Sequence, residues 1–214
     1  MIYDLRFKTQ KSVYILLILF LILGTASLLM WNKTEVFLYL NSFNSEFGDL
    51  AFPIITYLGD GWLSLLLFIM CLFFSFGKSV DLLVSFIISA IFVQGGKRLL
   101  FSDVKRPLGL LGEKSINMIE GFNVHSAHSF PSGHTTTAML IFLFIALNIQ
   151  NRSLKVLCIF LGLLGGYSRI YLSQHFFTDV YAGVIIACIS VFGALIIRNN
   201  IGKSQWYDRK LSLS

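Results

Sequence analysis

The chain has 214 residues, 56% of them apolar and 13% charged, with a net charge of +6 and a mean hydropathy of +0.75. Soluble domains carry about 25% charged residues, so a water-soluble domain is excluded, and a chain this apolar cannot stay solvated as a disordered coil. In a membrane protein basic residues first set topology, so the positive balance implies the lipid bilayer rather than nucleic acid as partner, and no protein partner is implied.

The uncharged run Val13 to Trp31 follows Arg6, Lys8 and Lys11. It is long for a signal-peptide core and lacks a clear small-x-small cleavage site, so it reads as a retained first span. Between Glu35 and Asp60 apolar residues such as Phe37, Leu38, Leu40 and Phe43 alternate irregularly with polar ones, which predicts a helix lying in the interface or packed against the spans. Five more uncharged stretches follow: Gly61 to Gly77, Leu82 to Gly96, Thr135 to Ile149, Val156 to Ser168 and Val180 to Ile197. The expected fold is therefore an all-α integral membrane protein, a single membrane domain over 1–214 with six transmembrane helices and an interfacial helix between spans one and two.

Six spans return both termini to one side. With that side inside, ten basic residues (Arg6, Lys8, Lys11, Lys78, Arg152, Lys155, Arg198, Lys203, Arg209, Lys210) fall on inner segments and seven on outer ones. Five of those seven, Lys97, Arg98, Lys105, Arg106 and Arg169, crowd around the outer motifs. This predicts a bacterial inner-membrane protein with cytoplasmic termini and a periplasmic site. Cys71, Cys158 and Cys188 lie in apolar runs without a second ligand nearby and read as packing residues. Gly162, Gly165 and Gly166 predict close helix packing.

Chemistry-bearing residues gather on the outer face. Lys97 and Arg98 end the third span and precede Arg106-Pro107; either lysine or arginine could also snorkel to headgroups. Pro131-Ser132-Gly133-His134 stands before an apolar run, so Ser132 and Gly133 offer a helix N-terminus that suits an oxyanion. Ser168-Arg169 is followed by His175 and then Asp179, a spacing that on one helix face would let the carboxylate orient the imidazole.

Together these segments resemble the type 2 phosphatidic acid phosphatase superfamily, which shares its site with vanadium-dependent haloperoxidases. The Pro-Ser-Gly-His and Ser-Arg…His…Asp motifs match throughout. The first departs: the family places six residues between Lys and Arg-Pro, whereas Lys97 and Arg106 have eight between them and the usual spacing falls on Leu99. Either the loop carries a two-residue insertion and Lys97 still serves, or Arg98 takes its place; adjacent helical residues point about 100° apart, so one of the two faces the site, and Lys97 is chosen. The resemblance implies a metal-independent lipid phosphatase without cofactor. His175, oriented by Asp179, would attack phosphorus and form a phosphohistidine, and His134 would protonate the leaving oxygen and later activate water. Lys97, Arg106, Ser132, Gly133 and Arg169 would bind the phosphate. His125 and His128 lie outside the motifs.

The implied partner is a membrane lipid phosphate: undecaprenyl diphosphate, phosphatidylglycerol phosphate, phosphatidic acid or a lipid A phosphate. A lipid phosphotransferase of the same family is the nearest rival. A transporter is the rival from another class, and it would place polar residues at mid-span rather than on one face.

Overall fold

Backbone in hydrocarbon must satisfy its hydrogen bonds within its own segment, so the apolar runs fold as helices. A computed structural model describes residues 3–201 together with Tyr207 and Arg209. Lys203 and Lys210, counted above among the inner charges, lie outside the described residues. The elements are α1 (Phe7–Met30), α2 (Lys33–Asn41), α3 (Glu46–Ile55), a 3-10 turn (Thr56–Gly59), α4 (Gly61–Phe74), α5 (Phe76–Gly95), a π turn (Gly96–Leu100), α6 (Pro107–Leu111), a 3-10 turn (Glu113–Ser115), α7 (Gly133–Asn148), α8 (Arg152–Tyr171) and α9 (Phe177–Ile201).

Several helices start at a side chain that satisfies free N–H groups. Asn32 and Glu35 close a capping box on α2. Ser45, Ser75, Ser132 and Asn151 accept from the first turns of α3, α5, α7 and α8.

α7 is apolar on every side and sits at the centre. Ala138, Met139, Leu140 and Leu143 are fully buried against α8 and α9. The glycines of α8 let it approach. A Cβ on Gly165 would stand 2.8 Å from the Ala138 methyl, and one on Gly166 3.0 Å from Thr135 Cγ2. α4 is the opposite case: none of its residues is buried, and Leu65, Leu66, Ile69 and Met70 face outward, as lipid contact requires.

Four helices, Phe7–Met30, Phe76–Leu100, Arg152–Tyr171 and Phe177–Ile201, are long and apolar enough to cross a bilayer, and a fifth crossing exists if Glu46–Gly59 and Gly61–Phe74, bent by 49°, form one span. The expected six spans are thus not confirmed: among the described residues four helices, or up to five, qualify by length and composition. The reason is length: the 16 residues of α7 extend about 24 Å against a hydrocarbon thickness of about 30 Å. The single interfacial helix expected between Glu35 and Asp60 is also not what forms. Two helices occupy that stretch; α2 buries Phe37 against Phe176, and α3 leads through the bend into α4.

The end of the bundle remote from the motifs is tied by a buried ion pair, Arg198 Nε to Asp81 Oδ1 at 2.7 Å, with the hydroxyls of Tyr3 and Tyr207 donating to Asp81 Oδ2 at 2.8 and 3.0 Å. Lys155 at the same end donates to Gln10 Oε1 at 2.6 Å and to the Thr9 carbonyl at 3.2 Å.

Candidate active site

The start of α7, the end of α8, the start of α9 and the turn after α5 meet at the other end of the bundle. His175 stands in the short turn between α8 and α9, where its N–H and that of Gln174 both donate to the Arg169 carbonyl, at 3.1 and 2.8 Å. It therefore does not share a helix face with Asp179, as the spacing suggested. Asp179 lies in the first turn of α9 and reaches back, accepting from the Phe176 N–H at 3.0 Å and facing His175 Nδ1 at 3.3 Å. The same oxygen, Oδ2, also accepts the Ser129 hydroxyl. An acidic residue there satisfies the Phe176 N–H and the helix dipole as well as the imidazole.

His175 is 1% exposed. Burial is the largest influence on its pKa and pushes it down to about 3, although the Asp179 hydrogen bond opposes the fall. The ring is neutral at physiological pH, and with Nδ1 facing a carboxylate its Nε2 lone pair is available.

Arg106 and Arg169 are both buried. Arg106 donates from Nε to the Ala127 carbonyl at 2.8 Å and from Nη1 to Gln174 Oε1 at 2.6 Å. Arg169 donates from Nη1 to the Thr56 hydroxyl, while its Nε is buried with no acceptor. Among the described residues neither guanidinium forms an ion pair. Each is anchored by neutral oxygen, with Asp179 near Arg106 and Asp60 near Arg169 beyond ion-pair distance.

Lys97 falls in the π turn, half-buried, close enough to Arg106, Asp179 and Arg169 for their charges to act on it; Arg98 is exposed. The π turn is closed by the Phe101 N–H donating to the Gly96 carbonyl at 2.8 Å.

Ser132 is fully buried at the start of α7. Its oxygen accepts from Thr135 Oγ1 at 2.9 Å and from the Thr135 N–H at 3.4 Å, which leaves its own proton to donate. Gly133 follows as the first helical residue. His134 is partly exposed, with Nε2 4.0 Å from Asp60 Oδ1. Burial and then Arg169 push the His134 pKa down to about 4, with Lys97 and Arg106 adding to the fall and Asp60 opposing it. His125 and His128 are exposed in the loop before Ser129.

Four contributors escaped the sequence reading: Thr56, Asp60, Ser129 and Gln174. Thr56 and Asp60 flank the bend between α3 and α4, and Gly59 allows that bend to seat on α7, since a Cβ there would come within 2.4 Å of the His134 carbonyl oxygen. Gln174 sits inside the spacer between Arg169 and His175, where no pattern marked it.

This arrangement of helices and motifs is that of one family. The PAP2 superfamily signature matches residues 78–203, more than half of the chain, and the chain belongs to that superfamily. It is similar to undecaprenyl-diphosphatase BcrC of Bacillus subtilis, with 31% identity over 112 residues that make up 46% of this chain and 57% of that protein. The chain thus aligns with little more than half the length of that relative. Among solved structures it resembles Aquifex aeolicus LpxE, with a TM-score of 0.68 and 27% identity over 76% of this chain and 93% of the other. It also shares the fold of a transmembrane PAP2-type phosphatidylglycerolphosphate phosphatase from Bacillus subtilis, with a TM-score of 0.60 and 19% identity over 92% and 99% of the two chains. With its apolar helices and these relatives, it is an integral membrane protein.

Proposed function

We propose that the chain is a lipid phosphatase that hydrolyses a phosphomonoester or diphosphate of a membrane lipid through a phosphohistidine on His175. The observation that carries this reading is the pair of buried arginines held by neutral acceptors. With Lys97 beside them and the Arg169 Nε–H unpartnered, they form a cationic cup at a neutral histidine. Such a cup needs an anion to offset its charge, and a phosphate meets all three cations at once.

Nε2 of His175 attacks phosphorus. The P–N bond forms as the bond to the lipid or pyrophosphate oxygen breaks, and the Nδ1 proton stays hydrogen-bonded to Asp179 as positive charge grows on the ring. His134 delivers the proton to the leaving oxygen and, once neutral, takes one from the water that releases inorganic phosphate. The phosphate dianion raises the proton affinity of His134 by offsetting the three cations that depress it. Ser132 and the Gly133 N–H complete the cradle. Electrostatic preorganisation by these residues is sufficient without a metal in this mechanism.

The names of the relatives direct the substrate search to undecaprenyl diphosphate and phosphatidylglycerol phosphate. The basic residues on the segments remote from the site support a periplasmic site with cytoplasmic termini. Purified protein in detergent is to be given these lipids and phosphatidic acid, with phosphate release followed in the presence of EDTA and of orthovanadate. Hydrolysis of at least one lipid should persist in excess EDTA and be inhibited by vanadate, which mimics the pentacoordinate transition state. Activity lost on chelation and restored by magnesium would overturn the metal-free mechanism, and transfer of phosphate to a second lipid instead of water would make the protein a phosphotransferase.

A further inference from the structure

Gln174 is 1% exposed, carries no charge, and no step of the proposed mechanism uses it. Its carboxamide bridges two segments far apart in sequence. Oε1 accepts from Arg106 Nη1 at 2.6 Å, and Nε2 donates to the Asn123 carbonyl at 2.8 Å. The orientation of the amide is determined by its partners. A guanidinium has only donors and a backbone carbonyl only accepts, so the flipped amide would meet both neighbours with the wrong atom.

We infer that Gln174 is a positioning residue: it holds the Arg106 guanidinium in its anion-binding orientation and fastens to it the loop that carries Asn123. A guanidinium has five N–H donors. One is taken by the Ala127 carbonyl and one by Gln174, and two anchors on different nitrogens fix the plane while the other N–H groups stay free for an anion. The neighbouring backbone ties this anchor to the nucleophile, because the N–H groups of Gln174 and His175 share the Arg169 carbonyl. Neutrality matters as much as reach. A glutamate of the same length would accept the same hydrogen bond but would pair with Arg106 and cancel the charge that the anion requires.

This inference rests on the proposed phosphate site, and its test separates the two. Orthovanadate binding is measured by calorimetry on the full-length protein in detergent, for the parent, Gln174→Leu and Gln174→Glu, at several pH values between 7.5 and 5. The ratio of variant to parent Kd at each pH cancels the changing ionisation of vanadate. Gln174→Leu should weaken binding roughly tenfold or more at every pH, the effect expected for losing a hydrogen bond to a charged group. Gln174→Glu should bind weakly at pH 7.5 and recover toward the parent as pH falls, because protonation restores a neutral acceptor for Arg106. A purely structural role predicts lowered thermal stability in both variants and no recovery of the Glu/parent ratio. That outcome, or parental Kd values in both variants, overturns the positioning role while leaving the phosphate site standing. Failure of the parent to bind vanadate overturns the phosphate site, and the positioning role with it.

Discussion

Replacing Asp179 by Asn isolates charge from geometry. The carboxylate Oδ2 gathers three donors, the Ser129 hydroxyl, the Phe176 N–H and His175 Nδ1. An Asn oxygen placed at the same point keeps all three, and its amide then faces the Thr178 hydroxyl, which lies 3.3 Å from Oδ1. The helix start and the imidazole therefore stay in place and only the negative charge is lost. Two unit charges at the observed 3.3 Å interact by about 5 kcal/mol at an effective dielectric constant of about 20. If the ring carries about half a charge at the transition state, the loss is about 2.5 kcal/mol, a fall in kcat of roughly 70-fold. Phosphate release from the lipid turned over by the parent gives kcat, and a thermal melt in the same detergent reports folding. Asp179→Asn should melt within a few degrees of the parent. Asp179→Ala should melt much lower, because it strands the Phe176 N–H and the Ser129 hydroxyl. Parental kcat in the Asn variant would refute the argument, as would a melt as low as that of the Ala variant.

His175→Ala should abolish turnover, whereas His134→Ala should still form phosphoenzyme from p-nitrophenyl phosphate, whose leaving group needs little protonation; acid quench and detection of phosphohistidine distinguish them. Since burial pushes His175 down to about 3, the carbon-13 shift of its labelled imidazole should hold the neutral value from pH 8 to pH 5, and a titration centred near 6.5 would contradict that environment. For topology, cysteines placed at the exposed positions Glu120 and Asn200, in a background without Cys71, Cys158 and Cys188, are to be probed in intact cells. A reagent that cannot cross the membrane holding the protein should label Glu120→Cys and spare Asn200→Cys; the reverse pattern places the site at the cytoplasmic face.

The motif residues were legible because their spacing is short and their types are unusual in an apolar chain. His134, Arg169, His175 and Asp179 sit where helices begin or end, and the sequence marks such boundaries by polarity. The choice of Lys97 had a weaker basis; both residues lie in the π turn, and there Lys97 is half-buried while Arg98 is exposed. What escaped is long-range. Thr56 meets Arg169 across 113 positions and Gln174 meets Arg106 across 68, contacts that neither periodicity nor local spacing encodes. The count of six spans is not confirmed for a related reason. Apolarity marks α7 and α4 as buried or lipid-facing, but whether a helix crosses a bilayer depends on its length and on bends such as the one at Thr56–Gly59, which the hydropathy of the run does not display.

The contrast between α7 and α4 divides the chain into a part that drift can rewrite and a part that it cannot. Most of α7 from Thr135 to Leu147 is buried, chiefly against α8 and α9, so a change of one methylene there is transmitted to Ser132 and His134 at its head. On α4 no side chain is fully enclosed: Leu67, Phe68 and Cys71 lean on the core, while substitutions that stay apolar at outward-facing Leu65, Leu66, Ile69 and Met70 leave the packing untouched. Since α4 follows directly from the bend holding Asp60, its outer surface can diverge within the family without dismantling the candidate site beside it. Change therefore has a tolerant element in which to collect, and the proposed phosphate site has a conservative one that preserves it.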